Sequence, residues 1–475
     1  QLKRLLDGLV IGPLDKNLNE SWICCPQLYT EVLNKVYKNP SDYAEVIPHK
    51  LSRSAKKNHD DDIVGYCAGY TQPRDKRSLG TPDDVVNAFA RVYKQKNWNK
   101  FAPFNYKGGF NVPYVLFKQK NMIDPQKRKE KYSSVRPISP NTQHPMRKLF
   151  GMVGKAWSFI TSRIPGDHLV INSSREVPAF LKECNTRLSH IGPLSVKTFD
   201  IEGCYPSMPK GAISDMAKEL TSDFEKQGFT GVYVARRQNG RGASWSSFRG
   251  AIFLPFHILI EVLEFSLHHA YIQLRDGKIY HQSQGIPMGD PLSPGMTIGA
   301  TAFMERQWLA TVPDRTRQFF AARRYMDDIL LVRAMHPAWD AESLLKEMRE
   351  AVYHSPLTLQ EGSPDTFLES RFAVVGNQIV FRLKNDNEGD STKVWRYQHY
   401  TSAGRYQTKV STMMSNLAKV DFYASDNCQL ILSAVAKLRE YQRLQYPPGI
   451  LRRACGSMAF KTGNASWHMI DRYIQ

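Results

Sequence analysis

Two acidic positions far apart in the chain, Asp200 and the pair Asp327–Asp328, have the strongest claim to chemistry in this sequence. Asp200 closes a short β-rich run, LSVKTFD, and Asp327–Asp328 stand where RRYMDDILLV would turn between two strands. Adjacent like charges in a tight turn between apolar strands are costly unless a cation neutralises them. Mg2+ takes hard oxygen ligands, typically one or two carboxylates beside substrate phosphates and waters. One carboxylate ending a strand and a pair in a neighbouring hairpin could therefore hold two divalent cations. That arrangement serves in-line displacement at phosphorus, as in nucleotidyl transfer. An Asp-Asp dipeptide is also an ordinary polar turn, because Asp is common in turns, and the spacing alone leaves both readings open.

The elements needed to position these residues can be read from pattern. Leu194 to Ile201 reads as a strand, and Phe319 to Val332 as two strands joined at Met326–Asp327. Tyr114 to Lys118 (YVLFK) is a further strand and runs into Lys118 to Lys131, where six Lys/Arg stand against two Asp/Glu. Such a run is often only a solvated loop. Val135 to Pro140 (VRPISP) is extended and stiffened by two prolines. Helices are expected at about 83–96, 145–162 and 209–227, with one long apolar helix over Ile252 to Leu274. Ala235 to Gly250 reads as a basic hairpin or loop, and Gly277 to Ser283 as a strand. A helix should follow Gly289, with Asp290 as N-cap and Pro291 at its first position. Strands alternating with helices around a central hairpin suggest an α+β sheet with helices on one face.

Composition narrows the partners. The chain has 475 residues, 42% hydrophobic and 11% aromatic, which describes a folded protein with room for several subdomains. A formal net charge of +19 is most simply read as a surface for a polyanion, and nucleic acid fits that charge together with the aromatics. Seven cysteines without a C-x-x-C pair fit a reducing, intracellular compartment and argue against a disulfide framework or a zinc knuckle. No stretch approaches the ~20 apolar residues of a membrane span. The opening residue, Gln1 in place of Met, suggests a fragment or processed product.

Four motifs in order make the chain resemble a reverse transcriptase. RPIS (136–139) is similar to the fingers motif, FDIEGCY (199–205) to motif A, QGIPMGDPLSP (284–294) to motif B and YMDD (325–328) to motif C. The likeness is greatest to the Penelope-like retroelement group, whose kin is telomerase. It rests on LDKN (14–17) with Tyr29, on LIEVLEFSLHHAYIQLRDGKIYHQSQGIPMGDPLSP, on LTLQEGSPDTFLESRFAVVGNQI (357–379) and on Tyr446–Pro447. Outside motifs A to C it is loose.

The resemblance implies an RNA-directed DNA polymerase with a right-hand fold. Residues 1–105 would form an N-terminal extension, 106–385 the fingers and an antiparallel palm, and 386–475 a helical thumb. Asp200 and Asp327 would bind two Mg2+ ions (Mn2+ as substitute), with the Ile201 carbonyl assisting and Asp328 beside them. Tyr205 would be the aromatic gate against the sugar 2′-hydroxyl, the group that separates RNA from DNA precursors. Gln284 and Gly285 would lie beneath the incoming dNTP, where a missing side chain lets backbone approach. Arg136, Lys118 and Lys120 would hold the triphosphate. Tyr325 and Met326 would face an RNA or DNA template with its primer. Arg405, Lys409, Lys419 and Arg443 would follow duplex phosphates as a group. No membrane is implied, and the nucleus would be the compartment if the element is eukaryotic.

Two features depart from the family pattern. No lysine stands clearly where motif D would place the general acid for pyrophosphate, the candidate Lys346 lying in the helix before it, and no G-Y-Y-G-type endonuclease follows the thumb. A viral RNA-dependent RNA polymerase is the rival enzyme, against which Tyr205 and YMDD in place of G-D-D both argue. A non-catalytic nucleic-acid scaffold of reverse-transcriptase fold is the rival of another class; such domains lose carboxylates, and here all three remain.

Overall fold

Capping residues and apolar alternation set the elements one by one. The computed structural model describes residues 7–15, 17–46, 81–118, 135–236, 242–337, 339–385, 387 and 397–474. In chain order these form β1 (Val10–Leu14), β2 (Asn17–Cys24), α1 (Pro26–Tyr37), β3 (Tyr43–Glu45), α2 (Pro82–Gln95), β4 (Tyr114–Phe117) and β5 (Val135–Ile138). Next come α3 (Arg147–Thr161), α4 (Glu176–Leu188), β6 (Leu194–Glu202), α5 (Lys210–Lys226), β7 (Gly231–Ala235), β8 (Ala243–Ser244) and β9 (Ala251–Pro255). They are followed by α6 (Phe256–His268), β10 (Tyr271–Gln273), β11 (Ile279–Gln282), α7 (Ser293–Thr311), α8 (Asp314–Arg317), β12 (Phe320–Tyr325) and β13 (Asp328–Ala334). The last are α9 (Ala341–Ala351), β14 (Thr358–Glu361), β15 (Thr366–Phe367), β16 (Ser370–Val375), β17 (Gln378–Leu383), α10 (Tyr406–Phe422), α11 (Asn427–Arg443), α12 (Pro448–Thr462) and α13 (Ser466–Asp471).

Helix α2 shows the local logic. Thr81 accepts from the Asp84 amide while the Asp84 carboxylate reaches back to the Thr81 amide, and Pro82 takes the first position. One expectation fails between 252 and 274. The apolar run there divides into β9, α6 and β10, because Ala251–Pro255 pairs antiparallel with β7 and Pro255 takes the extended cap conformation (φ −62°, ψ 152°). A short apolar run reads equally as strand or helix, and pairing decides. Helix α7 likewise begins at Ser293, later than expected, with Asp290 accepting from the Leu292 amide just ahead of it.

The chain divides into two units, each built from several stretches of sequence. One comprises residues 1–168, 203–306 and 353–357; the other comprises 169–202, 307–352 and 358–475. In the first, the β1–β2 hairpin, the β4–β5 pair and the sheets β10-β11-β3 and β8-β7-β9 are all antiparallel. Trp22, Val32, Tyr37, Val115, Phe117 and Tyr280 share one core there. In the second unit, four antiparallel strands run in the order β12-β13-β6-β14. Leu330 and Val332 of β13 are fully buried with Leu181, Phe372 and Phe381. Each such side chain is worth about 1.5–3 kcal/mol of burial, so a charge at either position would break the sheet. After β17, helices α10 to α13 close around Met413, Leu417, Tyr441, Leu451 and Trp467. The fold is α+β, with a four-stranded antiparallel sheet in the second unit (the palm) and a helical bundle after it (the thumb). Among the described residues no helix is long and apolar enough to cross a membrane.

Candidate active site

In the palm sheet, β12 and β13 pair from Phe320↔Arg333 to Tyr325↔Asp328, which leaves Met326–Asp327 as a two-residue turn. Asp328 pairs directly with Asp200 on β6, and Gln360 of β14 flanks Asp200 on its other side. The Ile201 amide donates to the Asp327 carbonyl at 2.9 Å, so backbone hydrogen bonds bring all three aspartates to one end of the sheet. Asp200, Asp327 and Asp328 are half-buried, and Ile201 is buried. Directly opposed residues of antiparallel strands share a face, and like charges there repel. A cation between them would turn that repulsion into chelation. Among the described residues no group of three or more His, Cys, Asp or Glu could hold a metal ion by itself.

The turn itself is strained. Met326 takes φ +58°, a region that Gly usually fills in tight hairpins. Sequence reasoning missed what supports it. Arg324 is wholly buried, and its guanidinium donates to the Met326 carbonyl at 2.7 Å. Its backbone is fixed as well: its amide donates to the Leu169 carbonyl (2.6 Å) and its carbonyl accepts from the Ile171 amide (2.8 Å). The signal for this was an arginine pair inside an otherwise apolar strand, FFAARRY. Tyr325 and Met326, at the start of the acidic turn, are half-buried, and Lys346 is exposed on α9.

The first unit holds the expected nucleotide-site residues. The Ile286 amide donates to the Tyr205 carbonyl at 2.9 Å, so motif B lies along the backbone of motif A. Gly285 sits at φ +65°, and a Cβ built there would come within 2.2 Å of the Pro206 carbonyl oxygen. Only glycine satisfies both conditions. Tyr205 is half-buried and Gln284 exposed. RPIS is locked to motif B in turn: the Ser139 amide donates to the Met288 carbonyl (2.7 Å) and Asn141 Nδ2 to Asp290 Oδ2 (3.1 Å). Burial pushes the Asp290 carboxyl up to about 6, against the donors Leu292 N–H, Ser266 and Asn141.

Arg136 pairs across the strands with Leu116 and donates from Nε to Asp15 Oδ1 at 3.0 Å. Asp15 belongs to the LDKN motif, a partnership that sequence spacing gave no means of seeing. Lys118 is exposed and bridges Asp15 through its backbone. Lys120 lies outside the described residues, as does all of the basic run after it.

The expected row of thumb cations needs correction. Arg405 and Arg443 are exposed, but Lys409 is buried, with Nζ donating to the carbonyls of Tyr400 (2.6 Å) and Ser402 (2.5 Å). Lys419 is ion-paired to Glu369 at 2.6 Å. Both lysines serve the protein's own acceptors.

No protein-family model and no curated protein matches the sequence. Among solved structures, a Candida albicans telomerase in complex with a fragment of telomeric RNA is similar, with 14% identity and a TM-score of 0.49. The alignment covers 81% of this chain and 65% of that one. The apo telomerase of Candida tropicalis gives 13% identity and a TM-score of 0.46, over 97% of this chain and 68% of that one. The RNA-dependent RNA polymerase of a Sicinivirus gives 12% identity and a TM-score of 0.32, over 73% and 64%. The chain thus spans about two thirds of the length of each. The functional reading rests on the residues themselves.

Proposed function

We propose that the chain is an RNA-directed DNA polymerase that extends a primer on a nucleic-acid template, from a retroelement of the Penelope-like group. The observation that carries this is the pairing of Asp200 with Asp328 beside a strained turn that presents Asp327. Asp200, Asp327 and Asp328 would hold two Mg2+ ions, which when bound activate the attacking hydroxyl and neutralise charge on the leaving pyrophosphate. Arg324 keeps the acidic turn in shape by bonding the Met326 carbonyl. Tyr205 excludes a 2′-hydroxyl by packing beneath the sugar, and Gly285 admits the nucleotide close to backbone. Arg136, oriented by Asp15, and Lys118 take the triphosphate charge. The basic surface grips the template–primer through its phosphates.

Primer extension with Mg2+ tests the reading, with dNTPs and NTPs in separate reactions. The wild type should extend with dNTPs. Asp327→Asn should fall below about a tenth of that rate, since losing a metal ligand adds several kcal/mol to the barrier. Duplex affinity should hold, because phosphate contacts supply most of it. Extension by Asp327→Asn at near wild-type rate would overturn the metal assignment; equal use of NTPs by the wild type would overturn the DNA polymerase.

A further inference from the structure

A second tight hairpin in the palm-and-thumb unit repeats the geometry of the acidic turn. β15 and β16 pair through Phe367↔Ser370, leaving Leu368–Glu369 as the two turn residues, and Leu368 takes φ +51°. In both hairpins a bulky residue occupies the positive-φ position and a carboxylate follows it. Such strain persists only where the surroundings over-determine it.

Here the surroundings converge on the Glu369 carboxylate. Its Oε1 accepts from Lys419 Nζ at 2.6 Å, and its Oε2 accepts from Tyr423 Oη at 3.1 Å and from Ser174 Oγ at 3.2 Å. Tyr423 Oη also reaches Ser174 Oγ at 3.1 Å. The Glu369 carbonyl takes the Lys384 amide at 2.8 Å. Burial acts to raise the Glu369 pKa, but Lys419 and the two hydroxyls outweigh it and the net shift is downward. An ion pair as exposed as this one, about 40% on each side, would contribute little alone. Its weight lies in three donors, from two separate segments, meeting one carboxylate on a rigid turn.

Those segments matter to polymerisation. Lys419 and Tyr423 lie one turn apart, on α10, the first thumb helix, and at its C-cap. Ser174 belongs to the stretch just before α4, and that same stretch holds Leu169 and Ile171, which bond the backbone of Arg324 behind the acidic turn. One short loop therefore touches the brace of Asp327 at one end and the thumb, through Glu369, at the other.

We propose that Glu369 is a positioning residue that locks thumb helix α10 to the palm, so that the hold of the thumb on a template–primer duplex depends on it. The inference rests on the polymerase reading above. Glu369→Ala should shorten the mean product made per binding event at least about threefold, chiefly through faster duplex release. The rate of single-nucleotide addition to saturating primer should stay within about twofold. Glu369→Gln keeps one acceptor oxygen, replaces the other with a donor amide and removes the charge, and should fall between. Lys419→Met added to Glu369→Ala should cost little more, because both remove one interaction. If Glu369→Ala does not fold, as judged by circular dichroism, Glu369→Gln and Lys419→Met provide the comparison. Wild-type product lengths in these variants, or product length and single-nucleotide rate falling together, would overturn the lock. Failure of the wild type to extend any primer would instead overturn the polymerase reading.

Discussion

Gly285→Ala is the sharpest probe of the seat between motifs A and B. Moving an L residue to φ +65° costs about 1–2 kcal/mol. The new Cβ would stand 2.2 Å from the Pro206 carbonyl oxygen and 2.4 Å from its carbon, whereas real Cβ contacts essentially never fall under 3.0 Å. The obstructing atoms are backbone and cannot swing aside as a side chain would, so overpacking adds about 1–3 kcal/mol. The sum is about 2–5 kcal/mol. At about 2–4 °C per kcal/mol for a unit of this size, the melting temperature should fall by roughly 4–20 °C. Pro206 can yield only by moving Tyr205, its neighbour, whose carbonyl takes the Ile286 amide. The KM for dNTP should then rise at least about tenfold, a loss of ~1.4 kcal/mol of binding. Gly151→Ala is the matched control: it lies within α3, has nothing within 4 Å of its would-be Cβ, and should stabilise by about 0.5–1 kcal/mol. Differential scanning fluorimetry and steady-state extension read both variants. Melting of Gly285→Ala within about 1 °C of wild type, with dNTP KM unchanged, would refute the reasoning.

Three further outcomes are expected. Replacing Tyr205 with Ala should relax a dNTP preference of about 100-fold, chiefly by improving NTP use, since an unpaired buried hydroxyl costs roughly 1–3 kcal/mol before any clash; unchanged discrimination would make Tyr205 a core residue only. Arg324→Lys should lower kcat about 10- to 100-fold, as expected from a charged hydrogen bond worth about 1.5–3 kcal/mol, with dNTP KM nearly unchanged; a wild-type kcat in the folded variant would remove Arg324 from the site. Asp290 titrates near 6 in the fold and near 3.8 outside it, so the folded chain holds its proton more tightly. Its contribution to stability is therefore largest at low pH and is lost as pH rises through that window, by up to roughly 3 kcal/mol. Denaturation midpoints of wild type and Asp290→Asn should converge or cross between pH 4 and 6.5, and parallel curves would show that Asp290 does not titrate there.

The strands of the palm were legible because they are short β-rich or apolar runs that end in turns: LSVKTFD became β6, and RRYMDDILLV became β12 and β13 around the expected turn. Helices α2, α3 and α5 were legible for the complementary reason, a helical period, which at α2 is closed by a capping box. Local pattern failed where pairing between distant segments decided. Ile252 to Leu274 is mostly apolar, so its partition into strand, helix and strand depended on β7 and β11. Arg136 and Asp15 met across more than a hundred residues of chain. Lys409 and Lys419 read as cations for a phosphate backbone because sequence shows charge but not the carbonyls and carboxylate that consume it.

The place of β6 in its sheet has a consequence for synthesis. This strand carries Asp200, yet both its neighbours, β13 and β14, lie far downstream in the chain. On a ribosome adding about 5–20 residues per second, β6 emerges on the order of ten seconds before either partner exists. Throughout that interval its two unpaired edges are templates for any other extended segment, in this chain or another. Unpaired edges of this kind draw in holding chaperones and make translation rate between residues 202 and 358 a determinant of yield. Slowing the ribosome there should increase aggregation, whereas slowing it after residue 361, once all four strands exist, should not.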